Sequence, residues 1–425
     1  MCNMFFRDAD LFDINRVSEI SYIKNVNSGK SRFSIYKDHF QRLFSPLYRK
    51  TGVRKADILF FGRTINNQRT FEPILNSINH SAYNLDNDAD SLLSSYMLYS
   101  VVGVPFLLLL YLQSDKEHRR IIKANKMAYL LSYGKLISTR KILKRVKPRI
   151  LVLANDHSPI NRCFLWNAMR LGVKTVYTQH ASVSNEFPPL SFDYSFLDGQ
   201  VSFDSYGRYS KNDSLVFLSG PCRFDYMKDY IKGDRQFVGL SINEMDDFNV
   251  VKDLCLLLKS KGYSKVKVRP HPSMGQWHCD WFASNGIVFS TPANESPGEY
   301  LSTLRLQISN VSGIHLDAVM VKTPSVLYQL SVNSIADVFH FLERGVVFPA
   351  DKTNILDYIN NPAEAIPSDE AVRYFVSSYQ TSIDLNVGPF IAHTIDLLLD
   401  SNFDSSCVLN DLFQKYGNEI IVYAF

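Results

Sequence analysis

Short apolar runs that alternate with helix-forming stretches after residue 148 constrain the fold of this chain most strongly. Residues 150–154 are continuously apolar, which is typical of a parallel strand buried on both faces. Ser158 has the character of a helix N-cap, so we predict a helix over 160–171 that ends at Gly172. A second strand over 173–178 completes a right-handed βαβ unit.

The same alternation restarts after Gly220-Pro221 and predicts a second α/β domain. We expect strands over 237–241, 266–269, 286–289, 304–308 and 324–328, and helices over 247–261, 275–284 and 313–321. An earlier strand over 58–61 belongs to the first domain. The 425 residues suffice for two to three domains of roughly 150 residues each. We therefore predict an α/β fold of two Rossmann-like, doubly wound domains that face each other across a cleft.

The predicted division places the N-terminal domain at 1–220, the second domain at 221–400 and a C-terminal tail at 401–425. Residues 384–400 are expected to form the last helix of the second domain. Open parallel sheets bind ligands at the carboxyl ends of their strands. The cleft between the domains is therefore the expected site.

Residues 91–149 combine an uncharged apolar stretch with a basic one. Residues 91–114 are long enough to cross a membrane, but serines, Gly103 and Pro105 interrupt them, which favours shorter buried or interfacial helices over a span. Residues 118–149 contain eleven Lys or Arg and no acid, with apolar residues near helical spacing. A basic amphipathic helix binds anionic lipid or a phosphorylated acceptor, or is simply a solvated face, and the sequence leaves both interpretations open.

Composition and motifs exclude several classes of protein. Six widely spaced cysteines without a CxxC argue against a disulfide framework and a zinc ribbon, and are typical of reduced thiols in the cytoplasm. The sequence contains no GxGxxG, no P-loop and no HExxH. The net charge of +4 is concentrated in the basic segment, and no nucleic-acid-binding module is recognisable. We predict no metal site, no nucleic-acid partner and a cytoplasmic location.

Two motifs in the second domain point to an anionic ligand. Arg269 and His271 stand at the end of a predicted strand, where prolines on either side of the histidine fix the backbone, and both side chains suit a phosphate. The later strand-to-helix turn brings hydroxyls and backbone amides to the same edge, and it contributes Ser309, Ser312, Gly313 and His315. We predict that these six residues bind a nucleotide, although Ser312 alone is equally well explained as a helix cap.

Acids and histidines that follow other strands are the candidates for proton transfer. They are Asp156, His180 and Glu186 in the first domain, and Glu244 and Asp246 in the second. Side chains from neighbouring strand ends converge, so one of these groups is expected to act as a general base or as a nucleophile. Each of them is also compatible with a capping role.

The motif Arg269-Pro270-His271-Pro272 resembles the His-Pro motif of two-domain GT-B-type glycosyltransferases that build bacterial capsule, O-antigen and lipopolysaccharide. The turn over 309–317 resembles their serine motif, and Asn155-Asp156-His157 and Gln179-His180 resemble their first-domain elements. The likeness covers roughly residues 150 to 330. This group includes sialyl-, polysialyl- and β-Kdo-transferases, which use CMP-sugars, and transferases that use CDP-polyols. The resemblance implies that His271, Ser309 and Ser312 hold the nucleotide.

The implied reaction is transfer of a 2-keto sugar acid, Kdo or sialic acid, from a CMP-sugar to a lipid-linked or oligosaccharide acceptor, without a cofactor. The N-terminal domain would then be the acceptor side, and the enzyme would be peripheral at the inner membrane. Gln179-His180-Ala181-Ser182 departs from the turn usual in polyol transferases, which makes a CDP-glycerol or CDP-ribitol phosphate transferase the second interpretation. A UDP-sugar epimerase of similar fold and a non-catalytic partner in a polysaccharide assembly complex are further alternatives.

Overall fold

A computed structural model of the chain describes residues 10–16, 54–87, 96–183, 187–207, 214–271, 274, 279–291 and 293–424. In chain order the strands are β1 (Ile58–Phe61), β2 (Ala82–Asn84), β3 (Ile150–Leu153), β4 (Lys174–Thr178), β5 (Tyr194–Leu197), β6 (Leu215–Leu218), β7 (Phe237–Ile242), β8 (Val266–Pro270), β9 (Val288–Phe289), β10 (Leu304–Ser309), β11 (Ser325–Tyr328), β12 (Phe348–Ala350) and β13 (Ile421–Ala424). The α-helices are α1 (Leu11–Ile14), α2 (Ile65–Leu75), α3 (Tyr96–Ser100), α4 (Val104–Gln113), α5 (Lys116–Val146), α6 (Pro159–Leu171), α7 (Gln200–Gly207), α8 (Phe248–Ser260), α9 (Cys279–Ser284), α10 (Pro297–Ser302), α11 (Ile314–Met320), α12 (Ile355–Asn360), α13 (Asp369–Phe375), α14 (Val387–Asp400) and α15 (Ser405–Tyr416).

The first sheet has the strand order β13-β6-β5-β4-β3-β1-β2 and is parallel except for β13. Its central strands are buried on both faces: Ile58 and Phe60 of β1 join one hydrophobic core, whereas Leu59 and Phe61 join the other. This two-sided burial is why the strands are continuously apolar in sequence. The predicted N-cap at Ser158 and the helix end at left-handed Gly172 are confirmed around α6.

The second sheet is entirely parallel, with the order β12-β11-β10-β7-β8-β9. Its two faces also carry separate cores, so the two domains each have three layers. Asp247 caps α8 by accepting hydrogen bonds from the backbone amides of Asn249 and Val250 in its first turn. The predicted helix over 275–284 is observed as α9, and residues 275–278 lie outside the described residues. The prediction of two Rossmann-like domains is confirmed, and the arrangement is that of the GT-B fold.

The C-terminal region differs from the predicted division of the chain. Helix α14 and the residues after it return to the first sheet, where Phe390, Ile395 and Leu412 join the core that contains Phe60. Strand β13 pairs antiparallel with β6 and covers what would otherwise be an open sheet edge. The segment predicted as a tail over 401–425 therefore forms part of the first domain, because its apolar helical face needs a partner to bury it.

The segment that joins the two sheets is a 3-10 helix over Cys222–Tyr230. It packs against α2 and α14 on one side and against α10 and α11 on the other. Asp225 in this segment accepts hydrogen bonds from the backbone amides of Val387 and Gly388, at 3.0 and 2.7 Å. The connection between the domains is therefore tied directly to the returning C-terminal helix.

Candidate active site in the interdomain cleft

Three strands of the second sheet bring polar side chains to one level at their carboxyl ends. Ser241 of β7 is the register partner of both Ser309 of β10 and Arg269 of β8. Neighbouring strands lie about 4.8 Å apart, so this row is about 10 Å wide. The Ser309 hydroxyl donates to the Ser241 carbonyl at 2.8 Å, which fixes the row internally.

Arg269 and His271 differ in how much they are exposed. The Arg269 guanidinium is largely buried and donates through Nη1 to Ser290 Oγ at 2.6 Å and to the Glu295 carbonyl at 3.0 Å. Burial lowers the pKa of Arg269 from its ordinary value, and the neighbouring Tyr300 and Glu295 oppose this change. His271 is exposed, and its backbone amide donates to the Ile242 carbonyl at 2.8 Å. Pro272, the last residue of the predicted motif, lies outside the described residues.

The turn after β10 contains the other predicted nucleotide-binding residues. Ser312 is half-buried and accepts a hydrogen bond from the backbone amide of Ile314 at 3.4 Å, but the N-cap of α11 is the next residue, Gly313. Gly313 is exposed, and a Cβ added there would meet no atom within 4 Å.

His315 differs from its predicted role in nucleotide binding. The side chain is fully buried, and its ring nitrogens lie 2.7 Å from Ser325 Oγ and 2.9 Å from the Asn310 carbonyl. Burial lowers its pKa to about 4, so the ring is neutral at pH 7. Both nitrogens are used inside the domain, so the ring holds the turn in place.

In the first sheet, Asp156 lies at the centre of a buried cluster just beyond β3. Its carboxylate accepts a hydrogen bond from Tyr206 at 2.6 Å and lies 2.9 Å from His157 Nδ1. Burial favours the neutral acid, but His157 and Tyr206 outweigh it and hold the pKa of Asp156 below its usual value. His157 Nε2 lies 3.3 Å from the Asn155 side-chain amide. The amide donates there, so Nε2 carries the ring's lone pair and Nδ1 carries its proton.

His180 follows β4 beside the same cluster. Burial and the neighbouring His157 lower its pKa to about 4, which leaves the imidazole neutral at pH 7. Its Nδ1 is buried without a hydrogen-bond partner in the described residues. The preceding Gln179 accepts the Asp198 backbone amide at 2.9 Å and so links the ends of β4 and β5.

The remaining predicted acids are spread over different environments. Glu244 is exposed on the turn after β7. Asp246 is held inside the second domain, where it accepts hydrogen bonds from the Asn243 backbone at 2.8 Å and the Asn310 side chain at 3.0 Å. Burial raises its pKa, opposed by these bonds. Glu186 lies outside the described residues.

Both domains line one pocket, and its first-domain wall contains an acid that the sequence analysis missed. The lining residues are Gln179, Ser182, Val183, Asp198, Val201 and Ser202 from the first domain, with Leu316, Phe339 and Phe375 from the second. Asp198 follows β5 directly and lies 2.7 Å from Arg223 Nη1. Burial raises the pKa of Asp198 to about 6, although Arg223 opposes the change.

Several buried polar atoms around this pocket lack hydrogen-bond partners within the described residues. They include Ser182 Oγ, Ser202 Oγ and Asp198 Oδ1. The other carboxylate oxygen, Asp198 Oδ2, lies 2.7 Å from Arg223 Nη1 and is paired with the guanidinium. Buried polar groups are usually satisfied, so the pocket is suited to a bound water molecule.

A second acid facing the junction, Asp317, comes from the second domain. Burial raises its pKa to about 6, against the opposing charges of Arg223, Arg69 and Arg269. At the junction, Asp317 therefore interacts electrostatically with three arginines, which come from both domains and from the connecting segment. Over the described residues, no group of three or more His, Cys, Asp or Glu is arranged to hold a metal ion.

No protein-family model and no curated protein matches this sequence. Among solved structures, the chain is similar to the UDP-GlcNAc 2-epimerase of Neisseria meningitidis bound to UDP-GlcNAc, with a TM-score of 0.50 and 10% identity over 80% of this chain and 98% of that one. It is also similar to a putative UDP-N-acetylglucosamine 2-epimerase of Listeria monocytogenes, with a TM-score of 0.50 and 11% identity over 83% and 97% of the two chains. The wall teichoic acid polymerase TagF matches over 94% of this chain and 99% of its own, with a TM-score of 0.43 and 11% identity. At these identities the comparisons establish the two-domain fold alone.

Proposed function

We propose that this protein is a glycosyltransferase of bacterial surface-polysaccharide synthesis. It transfers a 2-keto sugar acid, Kdo first and sialic acid second, from a CMP-sugar to a glycan acceptor. The acceptor is a lipid-linked saccharide or an oligosaccharide at the cytoplasmic side of the inner membrane. The chemistry needs no metal ion and no other cofactor.

One observation carries the proposal: Arg269, on a strand edge of one domain, and Arg223, the partner of Asp198 on a strand edge of the other, both act on Asp317 at the junction between the domains. Arg269, Ser241 and Ser309 form one edge. Asp156 and Asp198 belong to the other. Transfer from a nucleotide sugar needs a cationic site for the departing phosphate and a proton acceptor for the attacking hydroxyl. The CMP-sugar donor is chosen because Arg269-Pro270-His271-Pro272 resembles the motif of CMP-sugar enzymes.

In the proposed reaction, the acceptor hydroxyl attacks the anomeric carbon and the bond from that carbon to the CMP phosphate oxygen breaks. Arg269, His271 and the turn that begins at Ser309 stabilise the charge that develops on CMP. His157 Nε2 takes the hydroxyl proton once the acceptor hydroxyl has displaced the Asn155 amide, whose 3.3 Å contact uses that lone pair in the free protein. Asp156 positions His157, because its bond to Nδ1 keeps the lone pair on Nε2 and stabilises the charged ring that forms.

Calorimetric titration with CMP, CDP, UDP and GDP tests the donor site. We expect selective binding of CMP and a loss of affinity of about tenfold in His271→Ala, equivalent to ~1.4 kcal/mol. His80→Ala is the matched control, because His80 lies by Asp400 near the amino-terminal end of β1. Assays with CMP-Kdo and CMP-sialic acid then test transfer.

The other outcomes separate the alternatives. Preference for CDP would favour the polyol phosphate transferase, and preference for UDP would favour an epimerase or another sugar donor. If the folded protein bound none of the four nucleotides, the donor site would be refuted and a non-catalytic assembly partner would be favoured.

A further inference from the structure

The helical segment over 96–113 exposes an unusual concentration of large apolar side chains. Of 17 exposed large apolar residues in the described ranges, seven lie in this segment. They are Leu98, Val101, Val102, Val104, Leu108, Leu109 and Leu112. The others are spread over the rest of the described chain. Isolated exposed apolar residues are normal, but a continuous patch indicates a binding surface.

These side chains form one face of a continuous helical rod. Helix α3, a 3-10 turn over Val101–Gly103 and helix α4 follow one another without a break. The opposite face, with Phe106, Leu107, Leu110 and Tyr111, packs against a core formed with α5. None of the residues in α4 is fully buried, and Leu108 is 59% exposed. The outer face therefore has no protein partner within the described residues.

The rod is fixed to the domain too tightly to cross a bilayer. It is the one described helical segment that is long and apolar enough to span a membrane. However, a Cβ on Gly134 of α5 would lie 1.8 Å from the Tyr96 carbonyl, which shows how closely the two backbones approach. A Cβ on Gly103 would lie 2.6 Å from Tyr133. A transbilayer position would require this contact to open, so the rod can enter a membrane with its outer face only.

The last backbone carbonyls of the rod are hydrogen-bonded within the protein, as insertion into lipid would require. The last carbonyls of a helix have no partner within it, and lipid supplies no water to satisfy them. Here Arg119 donates through Nε to the Tyr111 carbonyl at 3.0 Å and through Nη2 to the Leu112 carbonyl at 2.6 Å. Ser114 donates to the Leu110 carbonyl through its amide at 3.0 Å and its hydroxyl at 2.6 Å.

Cations flank the apolar face on the next helix. Lys116, Arg119, Arg120, Lys123 and Lys126 are all exposed on the first half of α5, against two nearby acids, Asp115 and Glu117. Exposed apolar residues next to a basic surface are the combination that binds the interface of an anionic bilayer. A neutral apolar surface on a partner protein would give these cations no counter-charge.

We infer that the outer face of residues 98–112 inserts into the surface of an anionic membrane, with the exposed cations of α5 at the level of the lipid phosphates. The insertion is interfacial and does not span the bilayer. It deepens the proposed function by naming the surface through which the enzyme reaches a lipid-linked acceptor. It rests on that function only for the identity of the acceptor.

Vesicle flotation of the full chain tests this inference. Wild-type protein is expected to float with vesicles of phosphatidylethanolamine and phosphatidylglycerol, and to float less with phosphatidylcholine alone or at high salt. Leu108→Glu/Leu109→Glu should reduce the bound fraction about tenfold or more, because it places charges in the inserted face. Val332→Glu/Ile366→Glu is the matched control, since both side chains are exposed elsewhere on the surface. Arg120→Glu/Lys123→Glu should weaken binding to the anionic vesicles alone.

Other outcomes would overturn the inference. The wild-type protein would fail to float with the vesicles, or the Leu108→Glu/Leu109→Glu variant would bind as much as the wild type. Resistance of the bound protein to carbonate extraction would indicate a membrane span instead. A wild-type dimer in light scattering that becomes a monomer in this variant would assign the face to a second copy. CMP affinity, measured in parallel on the same variant, should be unchanged, so failure of docking and failure of the donor site are distinguishable.

Discussion

Removing the cation from the Asp198–Arg223 ion pair should destabilise the protein strongly. Arg223 Nη1 lies 2.7 Å from Asp198 Oδ2, and the side chains are only 13% and 4% exposed. Arg223→Met keeps much of the side-chain volume but leaves the carboxylate buried without its counter-charge. Breaking a buried pair in this way costs about 3–5 kcal/mol, so we expect a loss of that size in the free energy of unfolding at pH 8.

The size of this loss should depend on pH. Burial raises the pKa of Asp198 from 3.8 to about 6 even with Arg223 present, and without the opposing arginine the pKa rises further. The folded state therefore binds a proton more readily than the unfolded state, and protonation removes the unpaired charge. The destabilisation caused by Arg223→Met should shrink as the pH falls from 8 to 5.

Urea denaturation followed by tryptophan fluorescence measures these effects. Asp198→Asn in the Arg223→Met background should recover about 1–3 kcal/mol, because the two sites are coupled. Arg344→Met is the control, since Arg344 is half-exposed and lies 3.8 Å from an exposed glutamate, and it should change stability little. A loss below about 1 kcal/mol for Arg223→Met, or a loss independent of pH, would refute the role given to this pair.

Three further predictions concern single sites. Gly134→Ala forces a Cβ against the backbone of α3 and should lower the free energy of unfolding, measured by urea denaturation, by about 1–3 kcal/mol. Gly207→Ala is the control, because a Cβ there meets nothing within 4 Å and stability should not change. Equal effects of the two substitutions would contradict the close packing. Ser158→Ala removes the N-cap of α6 and should cost about 1 kcal/mol in the same assay, and unchanged stability would show that the cap is dispensable. Tyr206→Phe removes a hydrogen bond to Asp156 and should lower the turnover number for sugar transfer about tenfold, with unchanged CMP affinity. A parallel loss of CMP affinity would contradict the role of Tyr206 in positioning Asp156.

The elements that the sequence predicts well are those whose local pattern and tertiary environment agree. Residues 150–153 are apolar at every position because both faces of β3 are covered, and Ser158 and Gly172 bound α6 through backbone rules that act locally. Arg269, Ser309 and Asp156 could be placed at the carboxyl edges of the sheets for the same reason.

Features that depend on distant pairing were not predictable in this way. Asp198 was missed because β5 is only four residues long and contains Ser195, so its apolar run is interrupted. The buried role of His315 depends on Ser325 and Asn310, which tertiary packing brings to its two nitrogens. The return of residues 383–424 to the first sheet has no local signal, because an amphipathic helix shows which face is buried but not against what.

The pairing of β13 with β6 has a consequence for synthesis of the chain on the ribosome. β6 ends at Leu218 and its edge partner starts at Ile421, so about 200 residues must be translated between them. At ~5–20 residues per second this takes roughly 10–40 s. During that interval the nascent first domain presents an unpaired apolar strand edge, which is a template for intermolecular pairing. Completion of this domain therefore waits until β13 has emerged, and nascent chains are expected to need chaperone protection during that interval.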